Sequence, residues 1–329
     1  MNDSAREEMQ WWARWLRSLG QEVMTYGEAD ESGIADRLLR AHRAGALVRI
    51  ARGAYVPASA LDAPTEPERR AARYRLQVLA AAKQHENPTF TGYSALAILR
   101  LPIIDRWPDD IILQGHRSNG NRRPGVITVS RRCEIPTRVV DGVRIVTPES
   151  ALIQAARSSP LLPVLVAANA ACFVPRFGEQ VPLSTPEGLR AEHDRLMPYR
   201  GCRRVSHMLC RVNTRSESAL ETISDVAIDA LGFKAPTKQA TITLPSGRTV
   251  HLDYLWEEEG IGGEADGDRK YRGPRTAEGL IEEKRREDEL REQLRGLVRW
   301  DWQAAWHRAP LERKLARAGV PRIRRSRML

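Results

Sequence analysis

Acidic residues near the C-terminal end carry the most chemistry. The apolar strand Val250-His251-Leu252-Asp253-Tyr254-Leu255-Trp256 ends in a loop, and Gly262-Gly263-Glu264-Ala265-Asp266-Gly267 follows it. Alternation along a strand sends Glu264 and Asp266 to one face. Hard divalent cations such as Mg²⁺, or Mn²⁺ in its place, take charged oxygens converging from different elements. Crowded carboxylates repel one another, so a fold rarely gathers them without a metal or a proton. Glu221, Asp253 and Glu264 are therefore the expected metal ligands, with Asp266 beside them. A bound ion would hold a water as nucleophile against a phosphodiester. Lys270, or Lys284 on the next helix, would stabilise the charge that develops. The plainer alternative is solvation, since Glu257-Glu258-Glu259 shows that the intervening loop is simply acidic.

The elements needed to position these groups are legible. Ser216-Glu217-Ser218-Ala219-Leu220-Glu221 opens a helix that runs to Leu231 and stops at Gly232. Residues 238–243 and 249–254 form a hairpin around Pro245-Ser246-Gly247-Arg248. The Glu264 strand, a helix over 277–294, a strand over 296–300 and a basic helix and tail complete the chain.

A second set of charges lies at the N-terminus. Residues 5–19 predict a helix with Met9, Trp12, Trp15 and Leu16 on one face. The stretch 26–32 is short and polar. A further helix over 34–44 stops at Gly45, and two short strands flank Arg52-Gly53. Helices followed by a tight ribbon predict a winged helix-turn-helix. In that geometry Arg37, Arg40 and Arg43 would enter the major groove of DNA, while Arg49 and Arg52 would touch phosphate. A winged fold used only for protein contact, with a solvated arginine face, is the alternative.

Between these ends, 64–68 is a polar linker, 70–84 is helical, and a short helix starts near Tyr93. Strand-like stretches cover 110–114, 125–130 and 143–147. Thr147 then caps a helix with Pro148 in its first turn, and 161–173 is a strongly apolar helix. His116, Arg117, Arg122 and Arg123 sit in a Gly/Asn-rich loop that is either solvated or clamps phosphate. Of the four cysteines, Cys133, Cys172, Cys202 and Cys210, none forms a Cys-x-x-Cys pair. Cys202, His207 and Cys210 are expected in the packing of an amphipathic helix rather than on zinc.

The 329 residues suggest two or three domains. With 52 Lys+Arg against 42 Asp+Glu, the net charge of +10 favours a polyanionic partner, an arginine-rich background composition being the alternative. No long apolar run or leader pattern is present, so a cytoplasmic protein without membrane contact is expected.

At these residues the chain resembles known bacterial architectures. Residues 200 to 310 resemble the very-short-patch-repair (Vsr)-like domains of the PD-(D/E)XK nuclease superfamily. The matching pieces are Ser216 to Glu221, Val250 to Trp256, Glu264-Ala265-Asp266-Gly267, the run Glu283 to Arg291, and Val298-Arg299-Trp300. Residues 1 to about 175 resemble the AbiEi-type antitoxin or transcriptional-regulator module. That likeness rests on Arg52-Gly53-Ala54-Tyr55-Val56 and on Asp141-Gly142-Val143-Arg144-Ile145-Val146-Thr147-Pro148-Glu149-Ser150-Ala151-Leu152.

The resemblance implies Asp253 and Glu264 as metal ligands, with Glu221 assisting. The superfamily usually has Lys two positions after the Glu, where this chain has Asp266, so the Lys role would have moved to Lys270 or Lys284. The expected architecture is multidomain α/β: a winged helix over 1–62, a middle α+β domain over 63–198, and a PD-(D/E)XK-like α/β domain over 199–329. The leading expectation is a DNA-binding, Mg²⁺-dependent endonuclease. The alternative is a non-catalytic regulator or antitoxin with a toxin partner encoded nearby. A homodimer is open, since no heptad marks one.

Overall fold

The computed structural model describes residues 3–115, 119–130, 133–178, 180–266 and 277–326, and the backbone alone over 277–283. His116, Arg117, Gly267 and Lys270 lie outside the described residues. The chain is multidomain α/β, with two compact units: Met1–Cys172 with Pro182–Val212, and Phe173–Val181 with Asn213–Leu329.

The first unit starts with α1 (Asp3–Ser18), whose Trp12 and Leu16, four apart, share the buried stripe. Strand β1 (Met24–Thr25) leads into α2 (Tyr26–Glu31), a helix inside the short polar stretch 26–32. A reciprocal capping box starts it: the Glu28 backbone N–H donates to Thr25 Oγ1, and the Glu28 carboxylate accepts from the Thr25 N–H. Helix α3 (Ala35–Arg43) follows after a short turn and ends before Gly45, which takes φ +77°. Strands β2 (Leu47–Ala51) and β3 (Ala54–Pro57) make an antiparallel ribbon, and β1 pairs with β3 to give the order β1-β3-β2. Trp12, Leu16, Met24, Ala29, Leu38, Leu47 and Tyr55 close one core over these elements.

Helix α4 (Glu66–Gln84) starts at a second capping box, Thr65 with Glu68, and buries Leu76 and Ala80 against Ile50 and Val56. Helix α5 (Gly92–Ile98) is wholly buried. Strands β4 (Ile111–Gln114), β5 (Asn121–Arg123) and β6 (Val126–Val129) pair in the order β4-β6-β5, and β7 (Thr137–Val140) pairs with β8 (Val143–Val146). The arginine-containing β5 and β7 escaped the sequence reading because most of their residues are exposed and show no apolar alternation.

Helices α6 (Pro148–Ser158), α7 (Leu161–Cys172), α8 (Pro186–Leu196) and α9 (Cys202–Leu209) finish the unit. Helix α9, expected to open the last domain, instead packs on α6 and α8 through Val205, Met208 and Leu209. His207 and Cys210 are exposed, so the expectation that they pack in a core does not hold.

The second unit is a four-stranded mixed sheet with helices on its faces. Helix α10 (Ala219–Leu231) is capped by Ser218 and ended by Gly232 at φ +79°. Strands β9 (Thr237–Thr243), β10 (Thr249–Trp256) and β11 (Ile261–Ala265) are antiparallel neighbours. Helix α11 (Ala277–Gln293) precedes β12 (Gly296–Trp300), which runs parallel to β11 and gives the order β12-β11-β10-β9. Parallel pairing requires such a crossover. Helices α12 (Trp302–His307) and α13 (Ala309–Ala318) close the unit.

One sheet face meets α10. Tyr254 donates to the Glu221 carbonyl at 3.0 Å, and Trp300 Nε1 donates to Ser224 Oγ at 2.8 Å. The other face packs Leu244, Val250 and Leu252 on Leu290 of α11, with Leu255 and Leu297 joining them. The glycine pair before Glu264 is sterically required. A Cβ on Gly263 would stand 2.9 Å from the Trp300 ring and 3.1 Å from Tyr254 Cβ. Gly263→Ala is expected to destabilise the second unit by about 1–3 kcal/mol through overpacking. The measurement is the urea midpoint followed by tryptophan fluorescence.

Candidate functional site

Helix α10 sets the first carboxylate. Ser218 Oγ accepts from the Glu221 N–H at 3.1 Å and donates to Glu221 Oε1 at 3.0 Å. Glu221 Oε2 accepts from the Glu217 N–H at 3.1 Å and from Gln239 Nε2 at 3.0 Å. Both carboxylate oxygens are thus hydrogen-bonded, and the side chain is buried. Burial, reinforced by the charge of Asp253, pushes its pKa up to about 7.

Strand β10 sets the second. Leu252 and Leu255 reach the same apolar cluster although three apart, so the two-residue alternation breaks at Asp253. Gln239, on the adjacent strand, takes φ +53°. The irregularity turns Asp253 toward β11, where Oδ2 accepts from the Ala265 N–H at 2.8 Å. Tyr254 pairs with Gly263, and the same antiparallel register carried one step further brings Asp253 to Glu264.

Glu264 is buried, and each of its oxygens meets a guanidinium. Arg286 Nη2 donates to Oε1 at 2.6 Å, and Arg299 Nε donates to Oε2 at 2.8 Å. Arg299 also reaches Asp266 at 3.7 Å and Glu287 at 3.3 Å. The cation that α11 brings to the carboxylates is therefore Arg286. Lys284, expected there, is exposed, because the helical rotation that points position 286 at the sheet carries position 284 away. Lys270 lies outside the described residues.

The structure thus brings Glu221 within electrostatic reach of Asp253, and Glu264 and Asp266 onto one arginine. The donor set does not fit a divalent ion in this arrangement. Both Glu264 oxygens are occupied by cations, one Asp253 oxygen is committed to a backbone N–H, and burial favours neutral Glu221. Among the described residues no group of three His, Cys, Asp or Glu side chains could hold a metal. Sequence reasoning missed Arg286, although it sits in the quoted helix run, and Arg299, whose position opposite Glu264 depends on parallel register.

At the N-terminus the five arginines separate into two kinds. Arg37 does not face outward as expected. It makes a two-pronged ion pair with Glu8 of α1, at 2.8 and 3.1 Å, and its guanidinium lies 3.3 Å from the Trp11 ring centroid. Arg40 and Arg43, three apart on α3, are exposed, as are Arg49 and Arg52 on the ribbon. Arg49 bends back to the Ala51 carbonyl at 3.3 Å.

The raised pKa of Glu221 makes stability depend on pH with a definite sign. Folding resists its ionisation, so its contribution is full below the ordinary value of 4.5 and is lost as pH rises through about 7. Wild type is expected to lose up to ~3 kcal/mol of second-unit stability across that window. Glu221→Gln keeps the hydrogen-bond geometry and should flatten the slope. Urea midpoints between pH 5 and 8 check this.

Comparison with known protein families gives a match at the N-terminus. A family model described as a transcriptional regulator, AbiEi antitoxin, matches residues 16–58, from the end of α1 through the ribbon and just beyond. No curated protein matches the chain. Among the described residues, no helix is long and apolar enough to cross a membrane. The matched segment is similar to an AbiEi-type regulator, and it is the segment that carries Arg40, Arg43, Arg49 and Arg52.

Proposed function

We propose that the protein is a DNA-binding transcriptional regulator of the AbiEi antitoxin type, and that residues 16–58 form its winged helix. The observation that carries this reading is the exposed pair Arg40 and Arg43 on α3, inside the segment that matches the regulator family. In this reading α2 and α3 are the helix-turn-helix and α3 enters the major groove, with the β2–β3 ribbon as the wing. Arg40 and Arg43 reach bases or phosphates, and Arg49 and Arg52 approach the flanking backbone. Arg37 stiffens the helix by tying α3 to α1 and makes no DNA contact. The antitoxin likeness adds a toxin as the protein partner.

We read the second unit, whose order is helix, hairpin, strand, helix, strand, as a PD-(D/E)XK-like fold put to nucleic-acid contact without turnover. Its support is the Glu264 ion-pair cluster, where Arg286 and Arg299 supply internally the positive charge that a metal would bring. Endonuclease action with Mg²⁺ or Mn²⁺ is the competing outcome.

Selection from a random duplex library, followed by fluorescence anisotropy across a salt series, tests the reading. Wild type should enrich a defined site. Arg40→Ala with Arg43→Ala should weaken binding at least ~10-fold and lower the salt slope by about 2 if both meet phosphate. Arg37→Lys should change affinity little. Supercoiled plasmid should stay intact with Mg²⁺ or Mn²⁺. Metal-dependent nicking that Asp253→Asn abolishes would establish the phosphodiesterase instead, and duplex binding indifferent to Arg40 and Arg43 would refute the recognition helix.

A further inference from the structure

We propose that a groove along the edge strand β9 binds a single strand of nucleic acid, with phosphates on Arg176 and Arg215 and a base on Phe177. The proposal rests on the reading above that the protein handles nucleic acid, but it concerns a different surface. The groove, of about 280 Å³, lies within the second unit and is lined by Val174, Arg176, Arg215, Glu217, Gln239 and Thr241 among others.

Both guanidiniums are held by backbone rather than by acids. Arg176 Nη2 donates to the Gln239 carbonyl at 2.8 Å, and Arg215 Nη1 donates to the Lys238 carbonyl at 3.2 Å. Carbonyl contacts orient a guanidinium without cancelling its charge, and each planar group keeps further N–H donors for a phosphate. No described carboxylate forms an ion pair with either. Glu217, the one acid on the groove wall, is exposed and gives its N–H to Glu221. His251 also senses the open charge: burial first, and then Arg176, holds its pKa below the ordinary value.

Apolar exposure is concentrated on the same short segment. Val174 is 54 % exposed, Phe177 79 % and Val181 82 %, an unusual density of uncovered side chains for nine residues. The Phe177 ring is tilted on His251, with centroids 6.1 Å apart, and leaves its outer side to solvent. An aromatic face beside cations that have no acid partner suits an unpaired base with its phosphates, whatever the sequence. A protein partner would have to cover the apolar residues and also bring an acid to each guanidinium, whereas a nucleic-acid strand supplies both kinds of contact along its repeat. Gln239 in the groove wall donates to the buried Glu221 carboxylate behind it.

The full chain is titrated into a fluorescein-labelled oligothymidylate of ~15 nucleotides, with an unlabelled duplex binding assay run in parallel. Wild type should bind the single strand with salt-dependent affinity. Arg176→Ala with Arg215→Ala should weaken it at least ~10-fold and lower the salt slope by about 1.4, and Phe177→Ala should weaken it about 5-fold or more. The doubly Lys-substituted protein should recover most of the salt slope. All these variants should keep wild-type duplex affinity and urea midpoints, since the changed side chains are exposed. Absence of oligothymidylate binding at low salt, or equal binding by all variants, overturns the proposal. Loss of duplex binding in Arg40→Ala with Arg43→Ala, with single-strand binding kept, separates the two surfaces.

Discussion

The buried carboxylate of Glu264 is the constraint on which the second unit depends. A lone carboxylate under that burial would cost several kcal/mol, and the fold offsets this by bringing a guanidinium to each oxygen. Arg286 comes from α11 and Arg299 from β12, so one acid ties together the strand before the crossover, the crossover helix and the strand after it. The Gly262-Gly263 pair makes the arrangement possible, letting Tyr254 and Trp300 approach from one side and Leu252, Leu294 and Leu297 from the other. Two of the acids that suggest a metal site in one dimension, Glu264 and Asp266, therefore belong to an ion-pair network in three. Glu221 takes up the repulsion differently: burial and the nearby charge of Asp253 together raise its proton affinity.

The first unit manages charge by a parallel device. Arg75, almost fully buried on α4, meets Glu22 at 2.7 and 2.8 Å and Asp141 at 2.9 Å, joining the chain just after α1 to the β7–β8 turn. Arg37 is spent in the same way on Glu8 and Trp11. A net charge of +10 is thus a poor guide to which cations meet a partner. The useful distinction is between arginines paired with acids inside the fold and exposed ones with no ion pair to a described carboxylate. Arg40, Arg43, Arg176 and Arg215 belong to the second kind.

Much of the element order is readable without coordinates because local signals agree. The helix opened by Ser218 and closed by Gly232, the hairpin around Pro245-Ser246-Gly247-Arg248 and the strand ending at Trp300 are each specified by a cap, a turn or an alternating run. Helix α2 escaped because its six residues carry no apolar period, although Thr25 and Glu28 spell its capping box. Helix α8 has a legible start in Thr185-Pro186-Glu187, with Thr185 as its cap. The exposure of Arg40 and Arg43 follows from α3's own periodicity, whereas the withdrawal of Arg37 needs Glu8, twenty-nine positions away.

By itself the sequence determined the acids, the basic helix, the glycine pair and the succession of helices and strands, because each depends on neighbours within a turn or a hairpin. Tertiary structure alone decided which cation reaches Glu264. A parallel crossover sets Arg299 beside Glu264, and helix rotation chooses Arg286 over Lys284. It also decided that residues 173–181 leave the helices flanking them in sequence and join β9. Contacts between residues far apart in the chain depend on register and rotation, and neither is encoded in local spacing.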